Sequence, residues 1–158
     1  MLHLSGQLDE AAAHYRRAFE LRPDNAEAHG NLGRLLTTEG RHREAADEFT
    51  RALAINPDSP SFLSGLAWLL ALSSDKAVLN PGEAIRVGTR AAELSGRRDP
   101  AALDALGAAY AAAGDFGRSV EMAQEAMRVA DASGMQALWV DIRDRLQLYQ
   151  RGLPFVLK

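Results

Sequence analysis

Small, aromatic and proline residues recur in the early part of the chain at a fixed spacing of 34 positions. The pairs separated by this spacing are Gly6 and Gly40, Ala11 and Ala45, Tyr15 and Phe49, Ala18 and Ala52, and Pro23 and Pro57. A period of this length is typical of a unit made of two helices joined by a turn. The spacing therefore predicts stacked helical hairpins that share one continuous interior.

The amino-acid composition agrees with helices packed on helices. Apolar residues make up 47% of the 158 residues and aromatic residues only 6%, so the core must be built largely from alanine and leucine. Small side chains let neighbouring helices approach closely. The length suits one domain with a substantial core and is too short for two. We therefore expect a single all-α domain.

Two neighbouring residues in the first helix of the repeat unit also recur. Leu32 and Gly33 reappear downstream as Leu66–Ala67 and Leu106–Gly107. Together with the repeat described above, these positions resemble the tetratricopeptide repeat (TPR) family over nearly the whole chain. The resemblance implies a right-handed α-solenoid in which each repeat contributes an inner and an outer helix. The inner helices would then line a concave groove.

Several expected helix boundaries rest on capping residues. Asp24, with Glu27 three residues later, resembles a capping box. Asn80–Pro81 and Asp99–Pro100 each place a capping residue before a proline at the first helical position. Gly40 suits a helix end, because glycine adopts the left-handed conformation without a Cβ penalty.

These signals divide the chain into about three and a half repeats and a capping helix. The expected segments are a partial repeat with only its second helix (1–25), a repeat (26–59), a repeat with a long internal loop at 73–82 (60–99), a repeat (100–133), a capping helix (134–151) and a tail (152–158). In the capping helix we expect Leu138 and Ile142 to face inward and Asp141 and Arg145 to face solvent. Phe155 of the tail either packs back onto the cap or anchors a partner.

The resemblance also implies which residues line the groove, namely those of each first helix that face away from the core. They are Glu27, Gly30, Asn31, Arg34, Thr37 and Thr38; then Ser61, Ser64, Trp68, Ala71 and Leu72; then Ala101, Asp104, Ala108, Ala111 and Ala112.

The lining of the predicted groove changes from polar at Arg34 to apolar at Trp68 and Leu72. An apolar strip of this kind suits an amphipathic helix or an extended peptide, and Trp68 is a candidate binding hot spot. The alternative is that the 73–82 loop or the last helix covers Trp68 and fills the groove from within.

The sequence contains no recognisable reactive or metal-binding constellation. The histidines at positions 3, 14, 29 and 42 are scattered, cysteine is absent, and no His-Glu-x-x-His pair occurs. The glycines fall at helix ends rather than in a phosphate-binding loop. No set of nucleophile, base and orienting group is apparent. We therefore predict a non-catalytic protein without a cofactor or a metal.

Charge and hydropathy argue against two classes of partner. The net charge of −3 does not favour binding to nucleic acid. The longest apolar run, Leu66–Leu72, is too short to span a bilayer. Met1–Leu8 lacks the features of a signal peptide. We expect no nucleic-acid or membrane partner and a cytoplasmic location.

The leading hypothesis is a scaffold that binds a protein or peptide segment in the groove near Trp68, and two alternatives remain open. Tyr15 and Phe19 lie on one apolar stripe whose partner helix is missing, so the partial repeat is either truncated or docks on a second copy as a homodimer. The segment Ala67–Ala71, the long loop and residues 148–155 resemble the C-terminal TPR arrays of large bacterial proteins. That resemblance implies an accessory domain of a larger bacterial enzyme.

Overall fold

The computed structural model describes residues 25–157, together with Ala13, His14 and Arg17. Between residues 25 and 157 the chain forms α-helices and no strand. The helices are α1 (Ala26–Thr38), α2 (His42–Ile55), α3 (Pro60–Leu72), α4 (Pro81–Leu94), α5 (Pro100–Ala112), α6 (Phe116–Ala132) and α7 (Gln136–Gln150). The prediction of an all-α solenoid is confirmed.

The helices pack in consecutive pairs. Helix α1 packs on α2, α3 on α4, and α5 on α6, while α7 packs on α6. Helices α1, α3, α5 and α7 also contact one another in succession and form an inner row. Every residue predicted to line the groove lies on the first three helices of this row.

Glycines in the left-handed conformation close two of the hairpins. Gly40 follows α1 with φ 73°, and Gly114 follows α5 with φ 82°. The hairpin between α3 and α4 instead contains the predicted loop. Its start is fixed by the Ser73 hydroxyl, which accepts a hydrogen bond from the Asp75 amide at 3.0 Å. Its end is fixed by Asn80, whose side chain accepts from the Glu83 amide and begins α4 at Pro81.

The start of α1 differs by one residue from the prediction. Asn25 is the N-cap, and its Oδ1 accepts a hydrogen bond from the Ala28 amide at 3.1 Å. The predicted cap, Asp24, lies outside the described residues. Asparagine and aspartate cap helices about equally well, so adjacent candidates cannot be separated by residue type alone.

The ring of Phe49 joins the first two described repeats. It projects from α2, is only 1% exposed, and lies against glycines of α1 and α3. A Cβ at Gly65 would lie 2.5 Å from the ring atoms Cε1 and Cζ, and one at Gly33 would lie 3.1 Å from the ring. The two glycines therefore make room for one aromatic side chain between α1 and α3.

We expect Gly65→Ala to lower the free energy of unfolding by about 1–3 kcal/mol, because the new methyl group overpacks the Phe49 ring. This loss outweighs the higher helix propensity of alanine, worth about 1 kcal/mol. Urea denaturation followed by circular dichroism measures the change. The matched control is Gly117→Ala at an exposed site in α6, where the nearest neighbouring atom is 3.7 Å from the added Cβ. A Gly65→Ala protein as stable as the control would contradict the prediction.

Candidate functional site

The inner helices surround an open cavity of about 500 Å³, which we call the inner cavity. Helices α1, α3, α5 and α7 all contribute to its walls. The lining residues are Arg34, Thr37, Thr38, Phe49, Ser61, Ser64, Gly65, Trp68, Asp99, Ala101, Asp104, Ala105, Leu138, Asp141 and Arg145. The capping helix therefore forms one wall of the groove.

Eight of the sixteen residues predicted to line the groove meet in this cavity, namely Arg34, Thr37, Thr38, Ser61, Ser64, Trp68, Ala101 and Asp104. They come from three different helices. Their convergence follows from the inner row, which places the same face of each first helix toward one space.

The other predicted residues lie elsewhere. Glu27 is exposed in the first turn of α1, and Asn31 accepts a hydrogen bond from Arg34 outside the lining. Leu72 and Ala108 are 1% and 0% exposed, because both belong to an apolar cluster against which the C-terminal tail packs. They present no open surface to a ligand while the tail is in place.

The α1 wall of the cavity carries an oriented guanidinium group. Arg34 is exposed, and its Nη1 donates a hydrogen bond to the Ser61 hydroxyl at 3.1 Å. Its Nη2 donates to the Asn31 side-chain oxygen. These contacts hold the positive charge across the junction of α1 and α3, where it faces the open space.

A buried ion pair lies on the side of the inner cavity opposite Arg34. Arg145 of α7 donates to both carboxylate oxygens of Asp104 on α5, at 3.2 Å from Nε and 2.5 Å from Nη2. The two side chains are only 11% and 4% exposed. Bidentate pairs of this geometry fix orientation as well as charge. The pair therefore joins the capping helix to the inner row.

Trp68 is packed from within by the C-terminal part of the chain. The Arg145 guanidinium lies 4.9 Å from the centre of its ring. The ring of Phe155 lies 6.4 Å away, centre to centre. Trp68 is partly buried by these contacts and still contributes to the cavity wall.

Burial perturbs the ionisation of two groups beside this cluster. It raises the pKa of the Asp104 carboxyl to about 6, against the opposing attraction of Arg145, and the negative charge of Asp141 adds to the rise. Burial also raises the pKa of the Tyr149 hydroxyl above its usual range, with a further contribution from Asp104. The carboxylates of Asp99 and Asp141 line the same side of the cavity and make it acidic.

The prediction that Arg145 faces solvent is wrong. Its side chain is largely buried and stacks on Trp68, while Asp141 is exposed as expected. One signal in the sequence points to the buried position. Arg145 follows Ile142 by three residues and precedes Tyr149 by four, so all three share one helical face, and the other two are fully buried.

The described residues contain no group of three or more His, Asp or Glu side chains that could hold a metal ion. One buried polar pair ties helices together instead. Nδ1 of His29 in α1 lies 2.6 Å from an oxygen of Glu48 in α2, and Arg51 also donates to Glu48. The pair connects the two helices of one repeat.

No helix in the described part of the chain has the length and apolar character needed to cross a membrane.

Residues 2–69 match the sequence model of the tetratricopeptide repeat family. This match covers 68 of the 158 residues, so the first part of the chain is similar to the tetratricopeptide repeat (TPR) family. TPR arrays are typically non-catalytic scaffolds for protein interactions. The family match ends within α3, and the helices beyond it continue the same packing pattern.

Three crystal structures show the same fold along nearly the whole chain. One of MamA has a TM-score of 0.64 at 18% sequence identity, covering 95% of this chain and 82% of MamA. A second structure of MamA has a TM-score of 0.65 at 16% identity, covering 94% and 92%. PilW, described as a widely conserved type IV pilus biogenesis factor, has a TM-score of 0.68 at 18% identity, covering 96% and 74%. No curated protein sequence matches the chain.

Proposed function

We propose that this chain is a TPR scaffold without catalytic activity, and that it binds a short protein segment in the inner cavity. The observation that carries the proposal is the convergence of four inner helices on one open space of about 500 Å³. Ligand pockets commonly have volumes of about 300–1,000 Å³. The cavity is therefore large enough for several side chains of a partner.

The charges of the walls favour a segment with a particular order of residues. Arg34 supplies a positive charge on the α1 side, whereas Asp99 and Asp141 supply negative charges on the side of α5 and α7. Trp68 lies between them and offers an aromatic surface. A segment with an acidic and a basic residue on either side of an apolar one matches this distribution, because complementary charges favour association and fix orientation.

We further propose the predicted division into repeats at 26–59, 60–99 and 100–133, with a capping helix at 134–151. The bounds of α1 to α7 support it, since each proposed repeat contains one inner and one outer helix. Tyr15 and Phe19, the residues predicted to mediate self-association, lie outside the described residues. Homodimer formation, the absence of nucleic-acid binding and the cytoplasmic location stay predictions.

We expect Ala101→Trp to weaken binding of a cavity ligand by about tenfold or more, which corresponds to about 1.4 kcal/mol. Ala101 is exposed and lines the cavity, so an indole group there would occupy the space that a ligand needs. The ligands are peptides selected from a random display library on the wild-type protein. Isothermal titration calorimetry compares their affinities for the wild type and the variant.

The matched control for this substitution is Ala54→Trp. Ala54 is also exposed but lies on the outer helix α2, away from the cavity lining. The control protein should bind the selected peptides as the wild type does, and Arg34→Glu should weaken those that carry an acidic residue. Selected peptides that bind the Ala101→Trp protein at wild-type affinity would count against the proposed function.

A further inference from the structure

The C-terminal tail, residues 153–157, returns across the inner row after α7. Gly152 has φ 69°, a conformation that suits glycine and lets the chain reverse direction. The Leu153 amide bonds back to the Leu148 carbonyl at 3.0 Å. At the other end, the Leu157 amide donates to the Leu72 carbonyl at 2.8 Å. The tail therefore runs from the capping helix to the end of α3.

Two side chains of the tail point inward and the residue between them points outward. Phe155 and Leu157 are half-buried, whereas Val156 is 52% exposed. Phe155 and Leu157 both pack against the apolar cluster that contains Leu72 and Ala108. Alternation of this kind is typical of an extended backbone.

Phe155 and Leu157 pack against an apolar cluster that includes Ala71, Leu72, Ala108 and Ala109, and the ring of Phe155 also lies beside Trp68. We call Trp68, Ala71, Leu72, Ala108 and Ala109 the apolar strip. Three of these residues, Trp68, Leu72 and Ala108, are positions that the TPR resemblance assigns to ligand contact. The Leu72 carbonyl lies in the last turn of α3, where helix carbonyls lack a partner within the helix. A backbone amide of the tail satisfies this carbonyl. The tail thus makes the contacts that an extended peptide makes with a groove, namely main-chain hydrogen bonding and alternate side chains in apolar sites.

We propose that the apolar strip is a second recognition site, and that a partner segment binds there by displacing the tail. The tail defines the chemistry of that segment, which is an extended stretch with an aromatic residue followed two positions later by an aliphatic one. The site shares Trp68 with the inner cavity but lies along the ends of α3 and α5. This inference does not rest on ligand binding in the inner cavity.

The contacts of the tail suit an exchangeable occupant. From Pro154 to Leu157, the hydrogen bonds among the described residues tie it to the inner row only through the Leu157 amide. Its two inward side chains are only partly buried, and Val156 is 52% exposed and contributes little burial. A partner with the same two anchors and further contacts on either side of the strip would bind the strip more strongly than the tail does.

The test uses the full chain with its anchors removed, as Phe155→Ala/Leu157→Ala. The probe is a fluorescent peptide with the sequence of residues 153–158, Leu-Pro-Phe-Val-Leu-Lys. We expect fluorescence anisotropy to show binding to this variant at least about tenfold tighter than to the wild type, because the tail no longer competes. The matched control protein is Val156→Ala, which keeps both anchors and should bind the probe as weakly as the wild type.

A second set of probes tests which side chains are recognised. Replacing the phenylalanine or the second leucine of the peptide by alanine should abolish binding to the opened protein, whereas replacing its valine should not. Circular dichroism checks that the variant is folded. A folded variant that fails to bind the probe would overturn the proposal. So would light scattering that shows wild-type dimers which the double substitution separates, since the tail would then occupy a second copy.

The unaltered protein supplies an independent measurement that does not depend on the variant's folding. Excess unlabelled peptide should speed hydrogen exchange at the Leu157 amide, because that amide loses the Leu72 carbonyl when the tail leaves. Unchanged exchange at saturating peptide would contradict displacement. Adding Ala101→Trp to the opened variant should leave affinity for the probe unchanged, which separates this site from the inner cavity.

Discussion

Phe49→Ala is expected to lower the free energy of unfolding by about 3–5 kcal/mol. The ring is 1% exposed and fills a space between two helices that meet it with glycines, Gly33 and Gly65. Neither glycine has a side chain that can move into the vacated volume, so most of the cavity should remain. Urea denaturation should show a lower midpoint with an unchanged slope, since the surface exposed on unfolding is the same.

The control for this prediction is Phe155→Ala, which removes the same ring from a half-buried site on the tail. Phe155→Ala should lower the free energy of unfolding by less than half as much as Phe49→Ala does, because Phe155 buries less apolar surface in the folded protein. Combining Phe49→Ala with Gly65→Ala should remove the penalty of the glycine substitution, as expected for residues in direct contact. A loss of only about 1 kcal/mol for Phe49→Ala would show that the helices close over the space.

Arg145→Met is expected to destabilise the protein by about 3–5 kcal/mol at neutral pH, because it leaves the Asp104 carboxylate buried without its counter-charge. It also removes the cation that lies over Trp68. Thermal or urea unfolding measures the loss. Arg143→Met on the same helix is the control, since Arg143 pairs with Asp144 at the surface and such pairs contribute about 1 kcal/mol or less.

The loss in Arg145→Met should depend on pH. Burial already raises the pKa of Asp104 from an ordinary value of 3.8 to about 6 in the folded chain, and removing Arg145 should raise it further. A carboxyl whose folded pKa exceeds its unfolded pKa favours the folded state at low pH, and that contribution is lost as the pH rises through the folded pKa. The Arg145→Met protein should therefore recover stability near pH 5, where Asp104 is protonated. Adding Asp104→Asn should restore stability at neutral pH, and a pH-independent loss would refute this explanation.

Much of the fold could be predicted because its signals are local. A glycine at position 40, or an asparagine before a proline at positions 80 and 81, marks a helix boundary through the geometry of a few consecutive residues. The spacing of 34 residues then predicts that these helices form successive hairpins, because equivalent residues recur at the same place in each repeat. The sequence predicts the cap of α1 one residue too early, because Asp24 and Asn25 are adjacent and both suit the cap.

The contacts that shape the site join residues far apart in the sequence, so the sequence predicts them less well than it predicts helix boundaries. Arg145 pairs with Asp104, 41 residues away, and charge alone suggested a solvent-exposed residue. Its spacing from Ile142 and Tyr149 marks the buried face but does not identify a partner. Leu72 and Ala108 lie on the inner helices, but no local pattern predicts that the chain's own tail packs against the cluster that contains them.

The bond between Leu157 and Leu72 has a consequence for how the molecule comes apart. In an ordinary repeat stack each unit touches only its neighbours, so terminal units can fray while the middle stays intact. Here the C-terminal tail is hydrogen-bonded to α3, which belongs to the helical hairpin two units earlier in the stack. Helix α7 cannot separate from the stack until this contact breaks, so release of residues 153–157 determines when unfolding begins at this end.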